Sequence, residues 1–80
     1  MNPRARKEVD ISTYTGRFAV RLKALREKAG LSVEELAEKS GIPRNTIFNW
    51  EGSKRSPSIE QFPQLAESLG VTIRNLMPQK

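Results

Sequence analysis

Residues 30–58 read GLSVEELAEKSGIPRNTIFNWEGSKRSPS, and their punctuation decides the architecture. Gly30, Gly41 and Gly52 stand eleven residues apart, each after a stretch of helical pattern, where a left-handed residue closes a helix. Ser32, with Glu35 three positions on, is a capping-box pair that starts a helix over 32–40. Pro43 opens the next helix, over 43–51, where its missing N–H costs nothing, and it pushes Ile42 toward an extended backbone. Two short helices joined by a turn at Gly41-Ile42 make a helix-turn-helix.

The same signals extend outward. Thr15, beside Gly16, is read as the start of a first helix over 16–29, whose Phe18, Leu22, Leu25 and Ala29 recur along one stripe. Ser58 with Gln61 opens a helix over 58–69 that ends at Gly70, and Thr72 precedes a last short helix over 72–77. Pro63 falls inside the fourth segment. Either that helix bends, or residues 58–62 form a loose turn and the regular helix begins near Phe62-Pro63, the arrangement we prefer. Leu36, Ala37, Ile47, Trp50, Phe62, Leu65, Ala66, Leu69, Val71, Ile73 and Leu76 complete one pooled core. No strand-like alternation interrupts this pattern, so the expected class is all-α, with five helices.

Eighty residues support one domain without a deep cleft, and 36% apolar against 29% charged residues suits a small globule. The longest apolar run is three residues, Phe18-Ala19-Val20, so neither a membrane span nor a signal-peptide core is expected. The chain has no Cys and no His, which removes disulfides, thiol nucleophiles, imidazole acid–base catalysis and the usual zinc sites. No enzyme, cofactor or metal site is expected. A net charge of +5 favours a polyanionic partner. The charge is uneven. Basic residues crowd the first thirty positions, whereas residues 31–51 set Lys39 and Arg44 against Glu34, Glu35, Glu38 and Glu51. Glu34, Glu35 and Glu38 fall on one helical arc, and Arg44, Lys54 and Arg55 facing elsewhere is one way to resolve the conflict with a polyanionic partner. Residues 1–15 read as a basic flexible tail ahead of a domain over 16–78. An arm along a phosphate backbone and a segment packed on a partner subunit are the other readings.

The quoted stretch, together with LAESLGVTIRNLM after it and RLKALREKAG before it, resembles the phage-repressor and Cro type of helix-turn-helix domain, also called the xenobiotic-response-element type. The resemblance covers about residues 17–77. It implies a five-helix, lambda-repressor-like DNA-binding domain whose helix 43–51 lies in the major groove. The matching base-contacting positions are Arg44, Asn45 and Asn49. Arg can fork onto guanine O6 and N7, and Asn onto adenine N6 and N7. Phe48 either touches a thymine methyl or is a surface or partly packed apolar residue. Ile47 and Trp50 are assigned to the core. Phosphate contacts are expected from Lys54 and Arg55 in the loop closed by Pro57, with hydroxyls from Ser53 and Ser32. Thr46 either joins them or sits on the helix shoulder. Arg26 and Glu51 match positions that form a structural ion pair.

Three departures stand out. Val33 replaces the family's usual Gln, which grips a phosphate and braces a recognition residue. Pro43 replaces the usual Ser or Thr cap. Gly52-Ser53 inverts the common order in which Gly comes second, which is expected to shift the helix end by one residue. The resemblance implies a small transcriptional regulator of repressor type, binding double-stranded DNA in the cytoplasm of a prokaryotic cell or from a phage genome. A homodimer is expected, with Val71, Ile73, Met77 and Pro78 as candidate contacts, and no small-molecule ligand. The competing classes are a protein-interaction module of the same fold, using Glu34, Glu35, Glu38 and Phe48, and non-specific nucleic-acid binding through the tail.

Overall fold

The computed structural model describes residues 13–77, and among them every regular element is helical. Helix α1 spans Tyr14–Lys28, α2 Val33–Ser40, α3 Arg44–Glu51, α4 Phe62–Leu69 and α5 Ile73–Leu76, with a 3-10 turn at Ile59–Gln61. The expectations for residues 1–12 and for Pro78 lie outside the described residues. α1 begins two residues before the expected start because Thr13, not Thr15, caps it. The Thr13 hydroxyl accepts from the Gly16 N–H at 3.0 Å. Thr13, Tyr14 and Thr15 therefore belong to the domain and not to a tail.

At Pro63 the second of the two arrangements is found. The Ser58 N–H donates to the Gln61 side-chain carbonyl at 3.0 Å, and the Gln61 N–H returns to the Ser58 carbonyl at 3.0 Å. This closes a 3-10 turn, and α4 starts at Phe62. Pro63 then sits in the first turn of α4, where an N–H has no intrahelical acceptor to lose.

One core joins all five helices. Phe18 and Leu22 of α1 meet Leu36 of α2, Ile47 and Trp50 of α3, Phe62, Leu65 and Leu69 of α4, and Leu76 of α5, all buried. Phe18 and Phe62 cross with ring centroids 5.8 Å apart and a 60° tilt, a favourable aromatic geometry. Of the expected core residues, Leu25, Ala37 and Val71 are partly buried against this core, and two are exposed. Ala29 is exposed, because α1 has already ended and Ala29 serves as its C-cap. Ile73 is also exposed, since a one-turn helix turns a single side chain inward, and here that is Leu76. Polar contacts to α1 add to the anchoring of α5 by Leu76. Arg21 Nε donates to the Asn75 carbonyl at 2.7 Å, and the Tyr14 hydroxyl donates to Met77 Sδ at 3.9 Å. No helix of the described residues is long and apolar enough to cross a membrane.

The end of α3 is secured twice. Arg26 on α1 donates through Nε to Glu51 Oε2 at 2.7 Å and through Nη2 to Oε1 at 3.0 Å, the bidentate geometry that suits guanidinium and carboxylate. Its Nη1 donates to the Leu31 carbonyl at 2.8 Å, so one side chain ties α1, the loop before α2 and α3. Both side chains are about nine-tenths buried. The hydrogen bond to Glu51 raises the Arg26 pKa, against the opposing effect of burial. Such a pair is worth little compared with apolar residues of the same shape, but losing one partner strands the other charge in the interior.

Beyond Glu51 the backbone closes as a Schellman turn. The Ser53 N–H reaches the Trp50 carbonyl at 3.1 Å, and the Lys54 N–H reaches the Asn49 carbonyl at 2.9 Å. Sequence order predicted Gly52 as the left-handed residue, with the helix end displaced. Instead Gly52 has φ −87° and Ser53 takes φ 65°. The helix ends where its hydrogen bonds dictate, and the strained conformation falls on whichever residue occupies that place.

Glu51→Ala should lower unfolding free energy in urea by about 3–5 kcal/mol. Ser53→Gly should raise it by about 1 kcal/mol, because glycine takes the left-handed region without the Cβ clash.

Candidate nucleic-acid interface

The turn between α2 and α3 is built from buried contacts rather than from a flexible linker. Gly41 takes φ 77°, a conformation open to glycine, and lets the chain reverse directly after α2. Ile42 then plugs the core, its N–H donating to the Ser40 hydroxyl at 3.1 Å. From the other side, Gln64 Nε2 of α4 donates to the Ser40 carbonyl at 2.9 Å. Pro43, at φ −58° and ψ 142°, stands as N-cap just outside α3, which begins at Arg44. As its side chain dictates, Pro43 makes no cap hydrogen bond; its carbonyl takes the Thr46 N–H at 3.0 Å.

Fixed in this way, α3 has two unlike sides. Ile47 and Trp50 are buried, while Arg44, Asn45 and Phe48 are exposed and Thr46 and Asn49 are half-buried. Asn45 stands alone toward solvent. Thr46 and Asn49 line a groove with Trp50, Arg55, Ser56, Ser58 and Gln61, so the helix shoulder and the following loop share one polar wall. Lys54 and Arg55 are exposed, and Pro57 anchors the loop by its own burial. Ser53 is half-buried at the start of that loop. Of the residues singled out on α3 and in its loop, Thr46, Asn49 and Arg55 are thus brought together in one groove, while Arg44 lines a second groove with residues of α2.

Ser32 lies on a different element and is already employed. Its hydroxyl accepts from the Glu35 N–H at 3.0 Å, and the Glu35 carboxylate accepts from the Ser32 N–H at 2.8 Å. This is the expected capping box, and it leaves only the hydroxyl proton of Ser32 for a phosphate. Val33, in the place of the family's bracing Gln, is turned into the core.

One residue of this region has a role that periodicity does not reveal. Glu34 Oε2 accepts from Arg44 Nη1 at 2.9 Å, and the Arg44 guanidinium carbon lies 5.6 Å from the Phe48 ring centroid. In sequence Glu34 belongs to an acidic arc; in space it reaches across the turn to the first residue of α3. The residues named for a protein-interaction surface each have an intramolecular contact except Glu38, and all remain exposed. Glu34 holds Arg44, Glu35 caps α2, and Phe48 lies under Arg44.

A family model described as Helix-turn-helix matches residues 22–76. The chain is 33% identical over 60 residues to the cryptic phage CTXphi transcriptional repressor RstR of Vibrio cholerae, a match covering 75% of this chain and 54% of the repressor. It is 36% identical over 56 residues to an HTH-type transcriptional regulator of Archaeoglobus fulgidus, covering 70% of this chain and 80% of that protein. Some relatives are much longer: a 42% identical match from Methanococcus vannielii, named for HTH-type transcriptional regulation, is spanned over 16% of its length. Among solved structures, the restriction-modification controller protein C.AhdI from Aeromonas hydrophila superposes with a TM-score of 0.73 at 36% identity. That match covers 76% of this chain and 92% of the controller.

Proposed function

This chain belongs to the helix-turn-helix family, in its phage-repressor and Cro branch, and from that membership we propose that it is a transcriptional regulator of repressor type that binds double-stranded DNA sequence-specifically. α3 enters the major groove with its first turn deepest. Arg44 forks onto a guanine, Asn45 and Asn49 pair with adenine edges, and Phe48 meets a thymine methyl. Lys54, Arg55, Thr46, Ser53 and the Ser32 hydroxyl contact phosphates, setting register without reading sequence. No catalytic step, cofactor, metal or small-molecule ligand enters this reading, and the proposed compartment is the cytoplasm.

The observation that carries the proposal is the division of α3. Ile47 and Trp50 hold it to the core while Arg44, Asn45 and Phe48 are exposed, Arg44 pairing with Glu34 of α2. A helix fixed on one side and carrying hydrogen-bonding side chains of the right chemistry on the other can enter a groove without rearrangement. A single helix of this length reads about four or five base pairs, so the proposal includes a homodimer on a two-fold related site. Ile73 on α5 and Tyr14 on α1, both about two-fifths exposed, supply an apolar surface for that contact.

Selection from a random DNA pool should return a two-fold related site. Arg44→Ala and Asn45→Ala should each relax one position in both half-sites, with a cost of about 1–3 kcal/mol at the matched base. Recovery of single, unpaired half-sites would reject the dimer. Selection of the same sequence by Arg44→Ala would reject α3 as the reading helix. Lys54→Ala and Arg55→Ala should weaken all sequences alike, each lowering the slope of log affinity against log salt by about 0.9.

A further inference from the structure

Arg44 is the only basic residue of α3, and it is not free to roam. Glu34 holds its Nη1 at 2.9 Å and the Phe48 ring lies against its guanidinium. The two charged side chains remain 52% and 65% exposed, and an ion pair so open to water adds little to folding stability. Its consequence lies in what it does to Arg44.

Two effects follow from the geometry. The first is orientation. A guanidinium carries five N–H donors, and the bond to Glu34 uses one of them, leaving a fork for guanine O6 and N7. Holding the side chain in place before DNA arrives reduces the rotamer entropy lost on binding. The second is charge. A carboxylate at hydrogen-bond distance offsets the positive charge at the tip of α3. An arginine swinging out to a phosphate would have to leave that carboxylate or carry it toward a polyanion. Contact with a base edge demands neither. The carboxylate is free for this task because Val33 is turned into the core and Glu35 is bound to the Ser32 N–H.

We infer that Glu34 is a positioning residue that directs Arg44 to a guanine edge and penalises its contact with phosphate, so that it sets the ratio of specific to non-specific DNA binding. The inference rests on the reading of α3 as the recognition helix. It adds a residue from α2 that need not touch DNA to the determinants of sequence preference.

The test uses the full chain with Glu34→Gln, Glu34→Ala, Arg44→Ala and the double variant Glu34→Gln/Arg44→Ala. All are compared by selection from a random pool and by salt titration on a selected and an unrelated duplex. Both Glu34 variants should melt close to the parent, since the pair is exposed. They should bind the unrelated duplex about threefold more tightly and steepen its salt slope by about one, as one more phosphate contact would. They should also relax preference about tenfold at the same base pair that Arg44→Ala relaxes. In the double variant the Glu34 change should add nothing at that position. If Arg44→Ala relaxes one base pair while both Glu34 variants keep the parent's preference and salt slope, the inference is overturned and the recognition-helix reading stands. If Arg44→Ala relaxes no position, that reading fails and the inference falls with it.

Discussion

The bidentate bond from Arg26 to Glu51 is the contact on which the presentation of α3 depends. It joins the last turn of the fold's longest helix to the last residue of the helix whose outer face carries the proposed function. The same guanidinium also holds the Leu31 carbonyl, so the approach to α2 is set together with the end of α3. Ile47 and Trp50 supply the apolar attachment, but apolar burial is non-directional and would allow the helix to roll. A forked, nearly buried ion pair does not. The cost of desolvating two charges is offset by fixing which side of α3 faces outward.

This arrangement also resolves the charge conflict of the central segment, which is acidic in a protein expected to meet a polyanion. Each of its glutamates but Glu38 is committed. Glu51 is buried against Arg26, Glu35 caps α2, and Glu34 pairs with Arg44. The exposed basic loop residues Lys54 and Arg55 carry no ion pair among the described residues, so their charge is available at the edge of α3. Net charge along the sequence is therefore a poor guide to the potential at the surface that matters. What counts is which carboxylates are already neutralised locally.

The match to the helix-turn-helix family extends from the middle of α1 to the end of α5 and takes in the pooled core except Phe18. That core is what orients α3. The proposed base-reading residues are Arg44, Asn45, Phe48 and Asn49, and Val33 is turned inward where a bracing Gln is usual.

Helix positions, the pooled core, the turn at Gly41-Ile42, the capping box at Ser32 and the start of α4 ahead of Pro63 were legible from residue order. The core's members follow from apolar periodicity, and each of the others rests on contacts between residues at most four positions apart, where backbone chemistry acts directly. The errors share the opposite character. Ala29 and Ile73 carry apolar side chains in register, but burial depends on whether another helix is there to cover them. Ser53 holds the left-handed turn although a glycine precedes it, because the hydrogen bonds that end α3 choose a position and not a residue type. The Glu34–Arg44 pair spans ten residues across a turn, and local patterns cannot tell which of three neighbouring glutamates will meet the arginine. Packing of α2 against α3 made that choice, since it alone brings the first turns of two helices within reach of each other.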